Sequence, residues 1–209
     1  MIVHTPAKIY KAQQRSLNET NTHKVYSTQN EMIVCNDETL APQHSVTRIW
    51  RNTTSTLLIP LVGKLDYVAN TKKTLVPGDV AVLPGNSTIT LINPYKAELI
   101  NYLSITASDI ITDQPMTATV NFNLRNILHS FIEEKNIKGC IGIFDGRNET
   151  TYSPSSASST LFVFVINGAF EAEGRLLESR DALALTGIKK VEIEALSPDA
   201  IILMLELTK

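Results

Sequence analysis

The stretch PGDVAVLPGNSTITLINPYKAELINYLSI (77–105) decides the fold, because the chain contains it twice. Set above SRDALALTGIKKVEIEALSPDAIILMLEL (179–207), it needs no gap. Asp79 meets Asp181, Gly85 meets Gly187, and Ile89 and Leu91 meet Val191 and Ile193. Identities are few, but the apolar positions agree along the whole length. Within each copy the apolar residues alternate with polar ones: Ile89 and Leu91 against Thr88 and Thr90, Val191 and Ile193 against Glu192 and Glu194. A period of two is the signature of a strand with one buried face. Upstream, TLLIPLVGKLDY (56–67) resembles TLFVFVINGAFE (160–171), with one residue more before the glycine.

The chain therefore reads as two copies of one β-domain. Short alternating strands punctuated by Gly, Pro and Asn turns indicate a sandwich or barrel. The expected division is 1–112 and 113–209, with the polar segment SDIITDQPMTATV (108–120) as the seam. One segment resists. Leu124, Ile127, Leu128, Phe131 and Ile132 repeat at helical spacing, and Gly139 would fall just past the end of such a helix. A strand from Ile127 to Ile132 is the competing reading.

Composition narrows the function classes. The 209 residues are 43% hydrophobic, and 19 Lys+Arg stand against 21 Asp+Glu. No basic face is implied, so nucleic acid is not an expected partner. No segment approaches the ~18 apolar residues of a membrane span. MIVHTPAKIYKAQQR (1–15) has no apolar run of signal-peptide length, so a cytoplasmic setting is expected. The Asn-x-Ser/Thr triplets at Asn18, Asn52, Asn86 and Asn148 are then chance matches. Cys35 and Cys140 are far apart in apolar contexts and fit a reduced compartment. A monomer or homodimer is expected.

The repeat resembles the cupin superfamily, and within it the bicupins of the pirin and quercetinase-like type. A cupin's second motif has the form G-x5-P-x-G-x2-H-x3-N. Gly78, Pro84 and Asn93 fall on that spacing. Gly85 comes one residue early, which leaves Asn86 at the glycine place, and Ile89 takes the histidine place. LINPYKAELINYLSI (91–105), FDGRNETTY (144–152) and GAFEAEGRLLESRDALAL (168–185) carry the likeness further. The resemblance implies an all-β protein of two tandem jelly-roll-like barrels.

It also implies where a metal would be held. A cupin metal takes two His and a Glu from the first motif and a His from the second, because alternate residues of adjacent strands converge inside the barrel. Counting back from Gly63 puts the His-x-His pair at Trp50 and Asn52, or at Ile49 and Arg51 in the pirin-like register. The glutamate falls on Thr56 or Ser55, and the later histidine on Ile89 or Leu91. In the second copy that histidine place maps to Val191 or Ile193. No register supplies a ligand, so Asn52, Thr56, Ile89 and Val191 are lost-ligand positions and no cofactor is expected. The four histidines, His4, His23, His44 and His129, lie outside both motifs, with His44 nearest.

The remaining site candidates line a pocket for a small-molecule ligand. Arg51, if inward, could hold a carboxylate. Neighbouring Trp50 would then face the other way, since strand residues alternate. Tyr102 completes the first set, while Tyr152 and Phe164 could line a cavity in the second barrel. There is no G-x-S-x-G and no C-x-x-C. The expected function is a metal-free bicupin acting as a small-molecule-binding or protein-interaction module. The resemblance offers two alternatives, a metal-dependent dioxygenase of the quercetinase type and a metal-independent, isomerase-like cupin.

Overall fold

The computed structural model describes residues 6–50, 54–108, 114–134 and 136–208. The N-terminal strand β1 (Ala7–Tyr10) is followed by a single 3-10 turn at Ala12–Gln14. Eleven strands come next: β2 (Ser16–Glu19), β3 (His23–Gln29), β4 (Ile33–Leu40), β5 (Ser45–Ile49), β6 (Thr54–Val62), β7 (Leu65–Val68), β8 (Lys72–Leu75), β9 (Asp79–Pro84), β10 (Thr88–Ile92), β11 (Ile100–Ser108) and β12 (Met116–Thr119). The remaining nine are β13 (His129–Glu134), β14 (Ile137–Phe144), β15 (Glu149–Tyr152), β16 (Thr160–Asn167), β17 (Phe170–Ala172), β18 (Arg175–Leu177), β19 (Ala182–Thr186), β20 (Val191–Ala195) and β21 (Ala200–Leu207). All ladders are antiparallel, which suits the alternating pattern from which the repeat was read.

Two units result, and each is a barrel of two facing sheets. In Arg15–Thr119 the sheets run β12-β9-β6-β11-β4-β3-β2 and β5-β10-β7-β8. In the other they run β1-β19-β16-β21-β14-β13 and β15-β20-β17-β18. Apart from β2, which extends the first barrel's larger sheet, the two orders match strand for strand. The protein is all-β with two tandem jelly-roll-like barrels.

The units divide differently from the expected 1–112 and 113–209. Met1–Gln14 belongs with Val120–Lys209, because β1 pairs with β19. β12 holds the same place on β9. Each barrel thus takes its edge strand from a segment outside the compact repeat, and an aspartate secures it in each case. Asp79 accepts from Thr119 Oγ1 (2.7 Å) at the end of β12. Asp181 accepts from Ala12 N (2.7 Å) and pairs with Lys11 Nζ (2.7 Å) just past β1. The aspartates aligned from sequence therefore do one job twice.

The segment at 124–132 is not a helix: residues 124–128 form a loop and His129 opens β13, so the competing strand reading holds from His129 onward. Asn126 adopts φ 62°, a left-handed conformation that no helix interior accommodates. Leu124 and Ile127 are 53% and 46% exposed, whereas Phe131 and Ile132 are buried consecutively by a register shift between Ser130 and Ile132 in the β13/β14 ladder. Exposed loop apolars followed by a bulge imitate helical spacing. Gly139 does not follow a helix but lies inside β14, where a Cβ would collide with the Phe131 ring.

The glycines that anchored the repeat, Gly63 and Gly168, sit at φ 78° and 77°. At Gly168 a Cβ would collide with Ser197 Oγ and approach Ala200 Cβ at 2.9 Å. Gly168→Ala combines that clash with a left-handed backbone, and should cost about 1–3 kcal/mol in chemical denaturation. A loss under a few tenths would mean that the turn simply rearranges. Asn86, at the glycine place of the motif, takes φ 60° while Gly85 does not. Asparagine is among the few side chains that tolerate this region. The motif's turn is kept with a different residue.

Candidate functional site

Strand alternation sets which side chains enter the first barrel. Leu40, Leu58, Leu83, Ile89, Leu91 and Tyr102 share one core cluster, with Val46 and Trp50 packed against it. On β4, Glu38 lies two residues from Leu40 and shares its face. On β5, Arg48 lies between Val46 and Trp50 in the same phase. An ionisable pair therefore enters an otherwise aliphatic and aromatic interior.

Glu38 is 0% exposed. Its Oε2 lies 2.7 Å from His23 Nε2, and accepts from Arg48 Nη2 at 2.9 Å and from the Tyr102 hydroxyl at 3.0 Å. Its Oε1 accepts from the Ser104 hydroxyl, which in turn accepts from Asn36 Nδ2 at 3.4 Å. An ionised carboxylate only accepts, so His23 Nε2 carries the shared proton. Burial pushes the Glu38 carboxyl up, but His23, the Arg48 charge and Ser104 outweigh it and hold the group down at about 2. Burial, and then the charge of Glu38, push the Tyr102 hydroxyl well above its ordinary range. Glu38 is a saturated anion rather than a free base. It ties β4 to β3, β5 and β11.

The pH dependence of stability takes its sign from this depressed carboxyl. Glu38 titrates near 4.5 when unfolded and near 2 when folded, so its contribution is complete above pH 4.5 and fades as pH falls towards 2. A shift of this size corresponds to about 3 kcal/mol. Urea midpoints of the wild type should fall through that window, and the fall should be shallower in Glu38→Gln. Parallel slopes would remove Glu38 from the account.

The second barrel repeats the layout with different residues. Ile89 pairs with Arg48 in the β10/β5 ladder, and Val191 pairs with Tyr152 in the β20/β15 ladder. Tyr152 donates to a second buried carboxylate, Glu206, at 2.7 Å. In each barrel the residue beside the lost-histidine position reaches an internal glutamate.

The candidates expected from the sequence separate accordingly. Trp50 packs against the first core, and Tyr102 is buried on Glu38. Ile89 and Val191 are buried in the two cores, and Thr56 is buried with its hydroxyl 3.3 Å from that of Thr106. Arg51 and Asn52 lie outside the described residues, as does His4. The arginine that the described part of the strand turns inward is Arg48, and Trp50 shares its side. Phe164 does not line the second barrel: Val163 and Val165 do, so Phe164 points from the opposite face of β16. His44 is exposed with Nδ1 on Pro42 O (2.8 Å), and His129 is held by Leu124 O (2.8 Å), so neither faces a core. Cys140 is buried and its thiol pushed up to about 12, chiefly by burial, which leaves it protonated and unreactive at neutral pH. Asn93, the motif asparagine, donates to Leu40 O and Glu98 O and accepts from Tyr95 N. Its role is to lock the turn.

Sequence reasoning missed Glu38, His23 and Arg48 as a cluster. The available signal was the run CNDETL (35–40), where Glu38 is in phase with Leu40 inside a strand.

The described residues at the motif positions do not fit a cupin metal. The described positions that should supply ligands include Thr56, Ile89 and Leu91, and no three His, Cys, Asp or Glu among the described residues could hold an ion together. Nor is any helix among them long and apolar enough to cross a membrane.

Comparison with known proteins agrees with the architecture. Residues 135–207 match the family described as the quercetinase C-terminal cupin domain. YhhW from Escherichia coli is similar over 97% of this chain and 98% of its own, with a TM-score of 0.82 at 12% identity. The bacterial pirin YhhW in complex with nickel(II), also from Escherichia coli, gives 0.81 at 12%, covering 97% and 99%. A mutant oxalate decarboxylase from Bacillus subtilis gives 0.72 at 7%, covering 99% and 78%. No curated protein matches. The chain has the fold and the repeat of pirin-like bicupins, and its segment 135–207 matches a cupin-domain family.

Proposed function

We propose that the first barrel binds a small uncharged molecule without a catalytic metal. The observation that carries this is the pair at the motif's histidine place. Ile89 is buried there, and its cross-strand neighbour Arg48 is committed to Glu38. An inward imidazole with no partner would cost a few kcal/mol, whereas burying an isoleucine gains ~1.5–3 kcal/mol. A cleft of about 590 Å³ opens beside Ile89, with Leu83 and Pro84 on its apolar wall and Asn70, Asn86 and Gln114 as hydrogen-bonding groups. No ionisable side chain lines it among the described residues. Such a lining favours a neutral ligand with a few polar groups.

Elemental analysis after mild purification, with native mass spectrometry of the same sample, tests the reading. The expected result is no stoichiometric iron, nickel or copper, and saturable binding of a neutral small molecule that Ile89→Trp weakens. Stoichiometric metal held by the wild type would overturn it.

The quercetinase-type dioxygenase is the second reading. It is favoured by the family description matched at 135–207 and by the nickel(II) bound to a structural neighbour. Flavonol cleavage by protein supplied with each metal in turn decides between them.

A further inference from the structure

The second barrel holds a buried carboxylate whose direct partners, among the described residues, are all neutral. Glu206 is 2% exposed and faces inward with Met204. Oε1 accepts from Ser155 N (2.8 Å), Ser155 Oγ (2.7 Å) and Ser159 Oγ (2.8 Å), and Oε2 accepts from Tyr152. Burial pushes the carboxyl up, but hydrogen bonds from Ser155, Tyr152 and Ser159 bring it below its ordinary range, so it is ionised at neutral pH. Glu38, by contrast, has the Arg48 guanidinium against it.

A buried charge without a counter-charge is costly. A candidate among the described residues is Lys138, directly opposite Glu206 in the β14/β21 ladder. Its ammonium goes instead to Glu133, 3.4 Å away on the neighbouring strand. Both ends of that pair are partly or largely exposed, so the contact is weak. A cavity of about 240 Å³ lies among these groups, lined by Ser130, Glu133, Lys138, Tyr152, Ser155 and Glu206. At roughly 30 Å³ per water it has room for about eight waters, or a ligand of similar bulk.

We propose that this cavity binds a small primary amine, with its ammonium on Glu206. Oε2 has received one hydrogen bond among the described residues, against three on Oε1, so it is the oxygen open to an ammonium. The Tyr152 oxygen and Glu133 offer further acceptors to the same ammonium. An anion would meet two carboxylates against the single ammonium of Lys138, and a neutral polyol would leave the charge of Glu206 uncompensated. The site is independent of the first barrel, so elemental analysis and flavonol assays leave it untouched.

Titration calorimetry or NMR with ethanolamine, ethylene glycol and glycolate on the whole chain tests the assignment. Ethanolamine should bind saturably, and the neutral and anionic isosteres at least about tenfold more weakly. Glu206→Gln should weaken ethanolamine at least about tenfold, with its melting curve showing that the fold is kept. Lys138→Met keeps the side chain's bulk and removes the competing ammonium, so ethanolamine should bind about threefold tighter or better. Absent ethanolamine binding by the wild type overturns the proposal. So does equal binding of ethylene glycol, and so does unchanged or weaker affinity in Lys138→Met.

Discussion

Replacing Glu38 with alanine should unfold the first barrel more readily by about 3–5 kcal/mol, the usual cost of removing one partner from a buried charge pair. The size of the effect comes from what remains. The Tyr102 hydroxyl loses its acceptor in a buried site, and Ser104 loses the stronger of its two partners. Arg48 is left beside a cavity where its counter-charge stood, and His23 Nε2 loses its partner. Glu38→Gln should cost less, because an amide oxygen can still accept from Arg48 or Tyr102. Global unfolding of a two-unit protein is not a single transition. Amide hydrogen exchange on β4 and β11, compared with β14 and β21, isolates the first barrel. Protection on β4 and β11 should fall while the equivalent strands change little. A change below about 1 kcal/mol would mean that the ion pair is offset by its desolvation, as isolated buried pairs often are.

The same cluster shows where sequence reading reached its limit. The repeat was legible because strand alternation places apolar residues at fixed positions, and two copies reinforce one another. Gly63 and Gly168 were legible because their left-handed backbone favours glycine. Charged letters inside a strand are different. Sequence alone does not say whether Glu38 or Asp37 turns inward, since that depends on register with β11. Arg48 and Arg51 posed the same problem, and Trp50 fixes the answer for Arg48 only once its contact with the core is known. The apparent helix failed for a related reason: periodicity is counted along the chain, whereas the bulge at Ser130/Ile132 changes which residues face inward. The second barrel's carboxylate was hidden because it arrives from β21, where the first barrel has Ser104. Aligning the copies pairs Glu206 with Ser104, so the two internal acids occupy different strands and no repeat of letters reveals them.

Removing residues 1–14 should destabilise the second barrel by about 3–5 kcal/mol, the cost of stripping a buried carboxylate of its cation, although these residues lie far from it in sequence. β1 pairs with β19 over Ala7–Tyr10, and its loss leaves the inner strand β19 as an unpaired edge. Asp181, 0% exposed, would lose both Lys11 and the Ala12 amide and keep Glu178 N at 3.0 Å. An open apolar edge also invites pairing with another chain. The truncated protein should therefore lose amide protection on β16 and β19, and form higher oligomers as concentration rises. The first barrel supplies the internal control. There the equivalent edge strand is held by Thr119 on Asp79, an exposed contact without a cation, so Thr119→Ala should cost under about 1 kcal/mol. Equal sensitivity of the two edges would show that strand pairing, rather than the Asp181 ion pair, holds β1 in place. Full protection of β19 in the truncated chain would show that β1 contributes nothing to the barrel it joins.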